Sequence, residues 1–405
     1  MGDDAAPRPV ERIGILGAGT MGAGIAQLAA EAGIAVVMHD PMVGAYDRAL
    51  ERTAGFLARK VEKGQLTEPL RVAALTRIAS AATVEGLAAA DLVIEAIPED
   101  LELKREAFHR LDAAAAAPTI LASNTSSLSI AAIAAATSRP GRVVGMHFFN
   151  PVPLMALVEV IAGPGSDPGV PEATLAAARQ LGKTPVLAAD TPGFIVNRVA
   201  RPFYLEAMRI AGDGSAGIGE IDAAARGIGF RMGPFELVDT IGADVNLAVS
   251  QSVYEAFGRD PRYQPHEMQH ALVDAGRLGR KSGGGFYDYE PDGVRGTPWL
   301  GLPIAPGGAR LTESQIAQRL LATIVNEAAS AVADRVAAPE SIDTAMRLGA
   351  NYPSGPLEWG ERIGLSELVR TLDTLQAQAA DGRYRVVPLL RSLAEGGGSF
   401  FAPLP

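Results

Sequence analysis

The sequence predicts a doubly wound α/β domain over residues 1–189, followed by two all-α domains that repeat one another. Three observations predict it. Short apolar runs alternate with helical patterns through the first half of the chain, as a sheet covered by helices requires. From Phe194 onward the pattern is helical for about a hundred residues. Later pairs then echo earlier ones: Glu327-Ala328, Ile342-Asp343, Gly355-Pro356 and Ile363-Gly364 follow Glu206-Ala207, Ile221-Asp222, Gly233-Pro234 and Ile241-Gly242, with one inserted residue. The domains expected are 1–189, a first helical domain 190–290, a Pro- and Gly-rich linker 291–310 and a second helical copy 311–405.

Composition narrows the function. The 405 residues are 20% charged and 48% hydrophobic, an ordinary globular balance. No apolar run is long enough to span a bilayer, and the start, MGDDAAPRPVER, lacks the apolar core of a signal peptide, so a cytoplasmic enzyme without membrane contact is expected. With no cysteine there are no disulfides, no thiolate nucleophile and no Cys-ligated metal. The net charge of -10 argues against nucleic-acid binding.

The first apolar run, IGIL, leads into GAGTMG, Gly17 to Gly22, and a helical pattern follows. In such a strand, glycine turn and helix, Gly17 permits the turn, Gly19 bares the backbone to a pyrophosphate and Gly22 lets helix pack on strand, with Thr20 and Met21 opening the helix. A second strand, Ile34 to Met38, ends at Asp40, about twenty residues on, where a carboxylate can bind a ribose diol. The domain is therefore Rossmann-type and dinucleotide-binding. Asp40 would repel the 2′-phosphate of NADP, which favours NAD.

Met42 to Leu66 reads as one amphipathic helix, with Arg48, Arg52, Arg59 and Lys63 on a basic stripe and Leu50, Ala54, Leu57 and Val61 opposite. Further strands are expected at Asp91–Ile97, Pro118–Ser123, Arg142–Phe148 and Leu154–Ile161, with a short helix over Ser129–Ala136. Glu99 and Lys104 lie at a strand-to-helix junction on the cofactor side of the sheet. Ser126 follows Ile120-Leu121 and His147 follows Val143-Val144, so both reach the carboxyl ends of strands, where ligands bind in open parallel sheets. Ser126, His147 and Glu159 by themselves could be a hydrolase triad. HEMQH, His266 to His270, matches the H-E-x-x-H zinc pattern, but no third-ligand motif adjoins it and no metal is expected.

Taken in order, GAGTMGAGIA, SNTSS, HFFNPVPLMALVE, DTPGFIVNR, GPFELVDTIGAD and GRKSGGGFYDY resemble the L-3-hydroxyacyl-CoA dehydrogenases, including 3-hydroxybutyryl-CoA dehydrogenases, from about Ile13 to Tyr289. The C-terminal copy resembles the tandem helical domains of longer members. The resemblance implies NAD as cofactor and an acyl-CoA as substrate. By matching position it makes His147 the catalytic histidine, Glu159 its partner, and Ser126 and Asn197 the substrate-binding pair. It carries cofactor contacts to the glycine turn, Asp40, Glu99 and Lys104. It also makes the basic helix a CoA-binding face, with Lys63 foremost and Arg59 and Lys60 beside it. Ala156 departs from relatives that often carry a basic residue there. Two other readings stay open: a dehydrogenase of free hydroxy or sugar acids, and a non-catalytic dinucleotide-binding protein. The second copy has Gln318 near the position of Asn197, so it is expected to be structural. Single-copy relatives pair through the helical domain; here the second copy is expected to cover that surface, leaving a monomer or a homodimer that uses another surface.

Overall fold

The computed structural model describes residues 8–379 and 381–402 and divides into two compact units, one ending at Phe194 and the other beginning at Ile195. The first is an eight-stranded sheet: β1 (Arg12–Leu16), β2 (Ala35–His39), β3 (Ile78–Ser80), β4 (Leu92–Glu95), β5 (Ile120–Ser123), β6 (Val143–Phe148), β7 (Leu157–Ala162) and β8 (Thr184–Ala189). Their spatial order is β3-β2-β1-β4-β5-β6-β7-β8. The order reverses at β1, so a crevice opens beyond its carboxyl end, where the glycine turn lies. Strands β1 and β4 to β7 are almost wholly buried because helices cover both faces, which is why they read as apolar runs rather than alternating ones.

Helices α1 (Thr20–Glu31), α2 (Ala45–Glu62), α3 (Glu68–Thr76), α4 (Leu101–Ala114), α5 (Ile130–Ala134) and α6 (Val170–Gln180) flank this sheet. The buried stripe of α2 is Ala45, Ala49, Thr53 and Leu57. Leu57 is buried as expected, whereas Leu50, Ala54 and Val61 are only half-buried, because the row that faces inward runs at four-residue spacing from Ala45 to Leu57. Arg48, Arg52, Arg59 and Lys63 are exposed, as that pattern requires. The sheet also departs from uniform parallel winding. β6 and β7 are antiparallel, placing His147 opposite Glu159.

The second unit comprises α7 (Val196–Val199), α8 (Arg201–Gly212), α9 (Ile218–Gly227), α10 (Pro234–Ile241), α11 (Ala243–Ala256), α12 (Glu267–Asp274), the hairpin β9 (Tyr287–Tyr289) and β10 (Arg295–Pro298), then α13 (Glu313–Ala333), α14 (Pro339–Gly349), α15 (Pro356–Ile363), α16 (Leu365–Gln378) and α17 (Pro388–Gly396). The repeated motif has a physical cause. Asp222 accepts from the N–H groups of Phe235 and Glu236 at the start of α10, and Asp343 accepts from Leu357 and Glu358 at the start of α15. A Cβ on Gly233 or Gly355 would lie 2.2 Å from the aspartate beneath it, so glycine is required at both.

The copies pack reciprocally. Glu206 accepts from Arg319 at 2.6 Å and from the Tyr384 hydroxyl at 3.1 Å, while Glu327 accepts from Arg198 at 2.7 Å and from the Tyr263 hydroxyl at 2.7 Å. Corresponding residues exchange roles across the contact, as in the two-fold interface of a homodimer. Segment 291–310, Pro- and Gly-rich in sequence, is fastened to the first copy by β10 and by the bond from Ala305 N–H to Gly212 O at 2.7 Å.

Candidate active site

The glycine turn is built for close approach. Gly17 has φ +103°, where a side chain is strained, and a Cβ there would lie 2.6 Å from the Ala96 carbonyl; a Cβ on Gly22 would lie 1.9 Å from the Gly17 carbonyl. Around Gly19, by contrast, no atom would meet an added Cβ within 4 Å, so its backbone faces open space. Gly19 also caps α1 without a side chain, which leaves the first-turn N–H groups of the helix for an anion. The space is a cavity of about 700 Å³ whose walls include Gly17, Gly19, Thr20, Met21 and Asp40. These residues fit a dinucleotide.

Asp40 is held by the N–H groups of Ala18 at 2.8 Å and Met42 at 2.9 Å, which fix its carboxylate at the end of β2 with lone pairs left for a diol. Arg48 and Arg52 line the same cavity, and Arg52 donates to the Thr20 hydroxyl at 3.2 Å. Two guanidiniums thus share the cavity wall with the Asp40 carboxylate. In Asp40→Asn the ratio of kcat/KM for NADH over NADPH is expected to fall by about tenfold or more, measured by initial rates with each coenzyme.

Beyond β4 and β5 lies a second cluster. Glu95 is fully buried in β4 and accepts from Lys104 at 2.6 Å, Ser123 Oγ at 2.6 Å and Ile97 N–H at 2.7 Å. Lys104 is also buried, and its ammonium lies 3.5 Å from Glu99. Glu99 Oε1 in turn gathers the Thr125 hydroxyl at 2.7 Å, Ser126 N–H at 2.9 Å, Ser126 Oγ at 3.2 Å and Ser127. Burial raises its pKa, but the Thr125 hydrogen bond, Lys104 and Ser126 outweigh that and hold it below the usual carboxylate range. Glu99 precedes α4, which Asp100 caps through Leu103 N–H. The structure thus joins Glu99, Lys104 and Ser126 in one network, and neither Glu99 nor Lys104 is in the cavity wall.

A third cluster is formed by His147 and Glu159. They face each other across β6 and β7, and His147 Nδ1 donates to Glu159 Oε2 at 2.7 Å. Glu159 is fully buried and the imidazole is 6% exposed. The ring packs against Phe149, 4.4 Å between centroids, and Phe194, 6.0 Å. With Nδ1 donating, Nε2 keeps a lone pair, so the ring can act as a base. Asn124, just beyond β5, accepts from Phe148 N–H at 2.8 Å and ties the Ser126 loop to the His147 strand.

Asn197 lies on α7 of the second unit. Arg59 and Lys63 are on and just beyond α2, outside the cavity wall, and Arg59 stacks on Phe56; Lys60 pairs with Glu31. His266 caps α12 instead of sitting within it, accepting from Met268 N–H at 3.2 Å, and burial lowers its pKa to about 4. The helical face that H-E-x-x-H chemistry needs is therefore not formed. Sequence reasoning missed Glu95 and Ser123. A carboxylate inside the apolar run that follows Asp91, LVIEAI, was the available signal.

A dinucleotide cavity at the switch point of the sheet and an oriented imidazole at its carboxyl ends define a nicotinamide-dependent dehydrogenase. Residues 12–191 match the family model described as 3-hydroxyacyl-CoA dehydrogenase, NAD binding domain, and residues 193–289 and 316–399 match the corresponding C-terminal domain. The chain belongs to the 3-hydroxyacyl-CoA dehydrogenase family, an NAD-dependent oxidoreductase family. It is 38% identical to the 3-hydroxyadipyl-CoA dehydrogenase of Escherichia coli (strain K12), covering 95% of this chain and 98% of that one. With the probable 3-hydroxybutyryl-CoA dehydrogenase of Bacillus subtilis (strain 168) it shares 45% identity over 69% of this chain and 98% of the relative. Among solved structures, that of 3-hydroxybutyryl-CoA dehydrogenase from Escherichia coli K12 superimposes with a TM-score of 0.89 at 37% identity, covering 96% of this chain and all of the other. Among the described residues no helix is long and apolar enough to cross a membrane.

Proposed function

We propose that this enzyme oxidises short-chain L-3-hydroxyacyl-CoA to 3-oxoacyl-CoA reversibly, with 3-hydroxybutyryl-CoA as a representative substrate, and that His147 moves the proton. The observation that carries this reading is the bond from His147 to buried Glu159, in the same sheet whose glycine turn fits a dinucleotide. When bound, NAD supplies the hydride acceptor at its nicotinamide ring. His147 Nε2 takes the proton of the 3-hydroxyl. Glu159 fixes the tautomer and stabilises the imidazolium as it forms. Ser126 exchanges its 3.2 Å bond to Glu99 for one to the substrate oxygen, and Asn197 is assigned a second hydrogen bond by the family resemblance. In reverse, His147 returns the proton to the incipient alkoxide. The exposed basic stripe of α2, with Lys63 and Arg59, is assigned to the CoA phosphates.

The test against a free-acid dehydrogenase is direct. NADH oxidation is expected to be at least about a hundredfold faster in kcat/KM with acetoacetyl-CoA than with acetoacetate, because remote binding energy contributes to the reaction. Equal values would remove CoA from the proposal, and activity with neither would favour a binding protein. The reciprocal packing of the helical copies also supports a monomer, or a homodimer formed elsewhere.

A further inference from the structure

The basic stripe of α2, which the sequence pattern draws as one face, divides in the structure. Arg48 and Arg52, on the first half of the helix, are in the wall of the dinucleotide cavity, whereas Arg59 and Lys63 are not. A smaller cavity of about 230 Å³ shares two wall residues with the first, Thr20 and Arg52. Arg52 therefore stands between two open spaces, next to the residue that starts α1.

The cationic groups of the larger wall are not equivalent. Arg110 is taken by Glu85, to which it donates through Nε at 3.1 Å and Nη2 at 2.8 Å, and Arg48 lies beside the Val43 carbonyl at 3.4 Å. Arg52 makes one bond, from Nη1 to the neutral Thr20 hydroxyl at 3.2 Å, and has no carboxylate partner among the described residues. Most of its N–H donors are thus left for a ligand.

The Thr20 bond sets where that guanidinium is. Thr20 follows Gly19, whose backbone faces open space and which caps α1 without a side chain. The diphosphate of a dinucleotide is doubly charged, and the helix terminus answers it with only roughly half a positive charge. Arg52 adds a full one, and its bond to a phosphate oxygen is stronger than its bond to a neutral hydroxyl. The acid nearest in the chain, Asp40, is already held by the N–H groups of Ala18 and Met42.

We propose that Arg52 binds the diphosphate of the coenzyme, exchanging the Thr20 hydroxyl for phosphate oxygens and completing the anion site that the glycine turn and α1 begin. Its planar fork can reach more than one oxygen of the diphosphate. Arg52 thereby belongs to the coenzyme and not to the substrate face assigned to Arg59 and Lys63. Asp40 and Arg52 become separate anchors for the adenylate half, one for the ribose diol and one for the phosphates.

Binding tests this without any acyl-CoA. NADH is titrated by its fluorescence, and adenosine and ADP are titrated as competitors, because they differ by the diphosphate alone. Arg52→Met is expected to weaken NADH and ADP by about tenfold while adenosine stays within about twofold of wild type. Arg52 is exposed, so methionine leaves the packing of α2 intact. Arg52→Lys recovers part of the loss, since the charge remains without the planar fork. Arg71→Met removes the same charge from α3, outside both cavity walls, and is expected to leave each ligand within about twofold. An equal loss in Arg71→Met, an equal weakening of adenosine, or NADH and ADP unmoved in Arg52→Met would overturn the assignment. So would a change confined to the KM of acetoacetyl-CoA, which would place Arg52 on the substrate.

Discussion

His147→Gln is expected to lower kcat by about 10²–10⁴-fold, the range for losing a positioned general base. Glutamine can still hydrogen-bond Glu159, so the β6 and β7 pairing and the burial around it persist. What it lacks is a ring nitrogen with a lone pair to take the hydroxyl proton. Steady-state rates with acetoacetyl-CoA and NADH measure the loss. Fluorescence titration with NADH is the control: its Kd is expected to stay within about twofold, because the glycine turn and Asp40 are untouched. A variant that keeps wild-type kcat removes His147 from the chemistry.

The largest stability effect is expected at Glu327. Its carboxylate is fully buried and answers Arg198, Arg262 and the Tyr263 hydroxyl. Glu327→Ala would take the carboxylate from buried Arg262 and leave Arg198 with Asp334, at a cost of about 3–5 kcal/mol, against a typical total of about 5–15 kcal/mol. Guanidinium denaturation followed by circular dichroism reads the change. The exposed Arg370–Glu367 pair is the control, and Arg370→Ala is expected to leave the midpoint unmoved. An equally small effect at Glu327 would mean that the reciprocal pairs do not hold the copies together.

The parts of the fold legible in sequence were those with a local cause. IGIL-GAGTMG was readable because backbone crowding at Gly17 and Gly22 excludes side chains, and the repeat was readable because Asp222 and Asp343 each need a glycine beside them. Strand β3 was not readable, being three residues long with two exposed; nor was β8, whose run contains Pro185 at the sheet edge. The buried stripe of α2 was misjudged because alanines and a threonine give a weaker pattern than leucine and valine. At the site, His147 and Glu159 could be named from motifs, but their pairing depends on an antiparallel register twelve residues apart in sequence. The partners of Glu95, Lys104 and Ser123 among them, are tertiary facts for which spacing carries no signal.

In the proposed reaction, hydride leaves C3 of a 3-hydroxyacyl-CoA for NAD while His147 accepts the hydroxyl proton. The most direct measurement supplies the enzyme with NAD and 3-hydroxybutyryl-CoA carrying deuterium at C3, then analyses the NADH by mass spectrometry. Deuterium in the NADH, with acetoacetyl-CoA as the other product, is the predicted result. NADH without the label, or none formed, would contradict it.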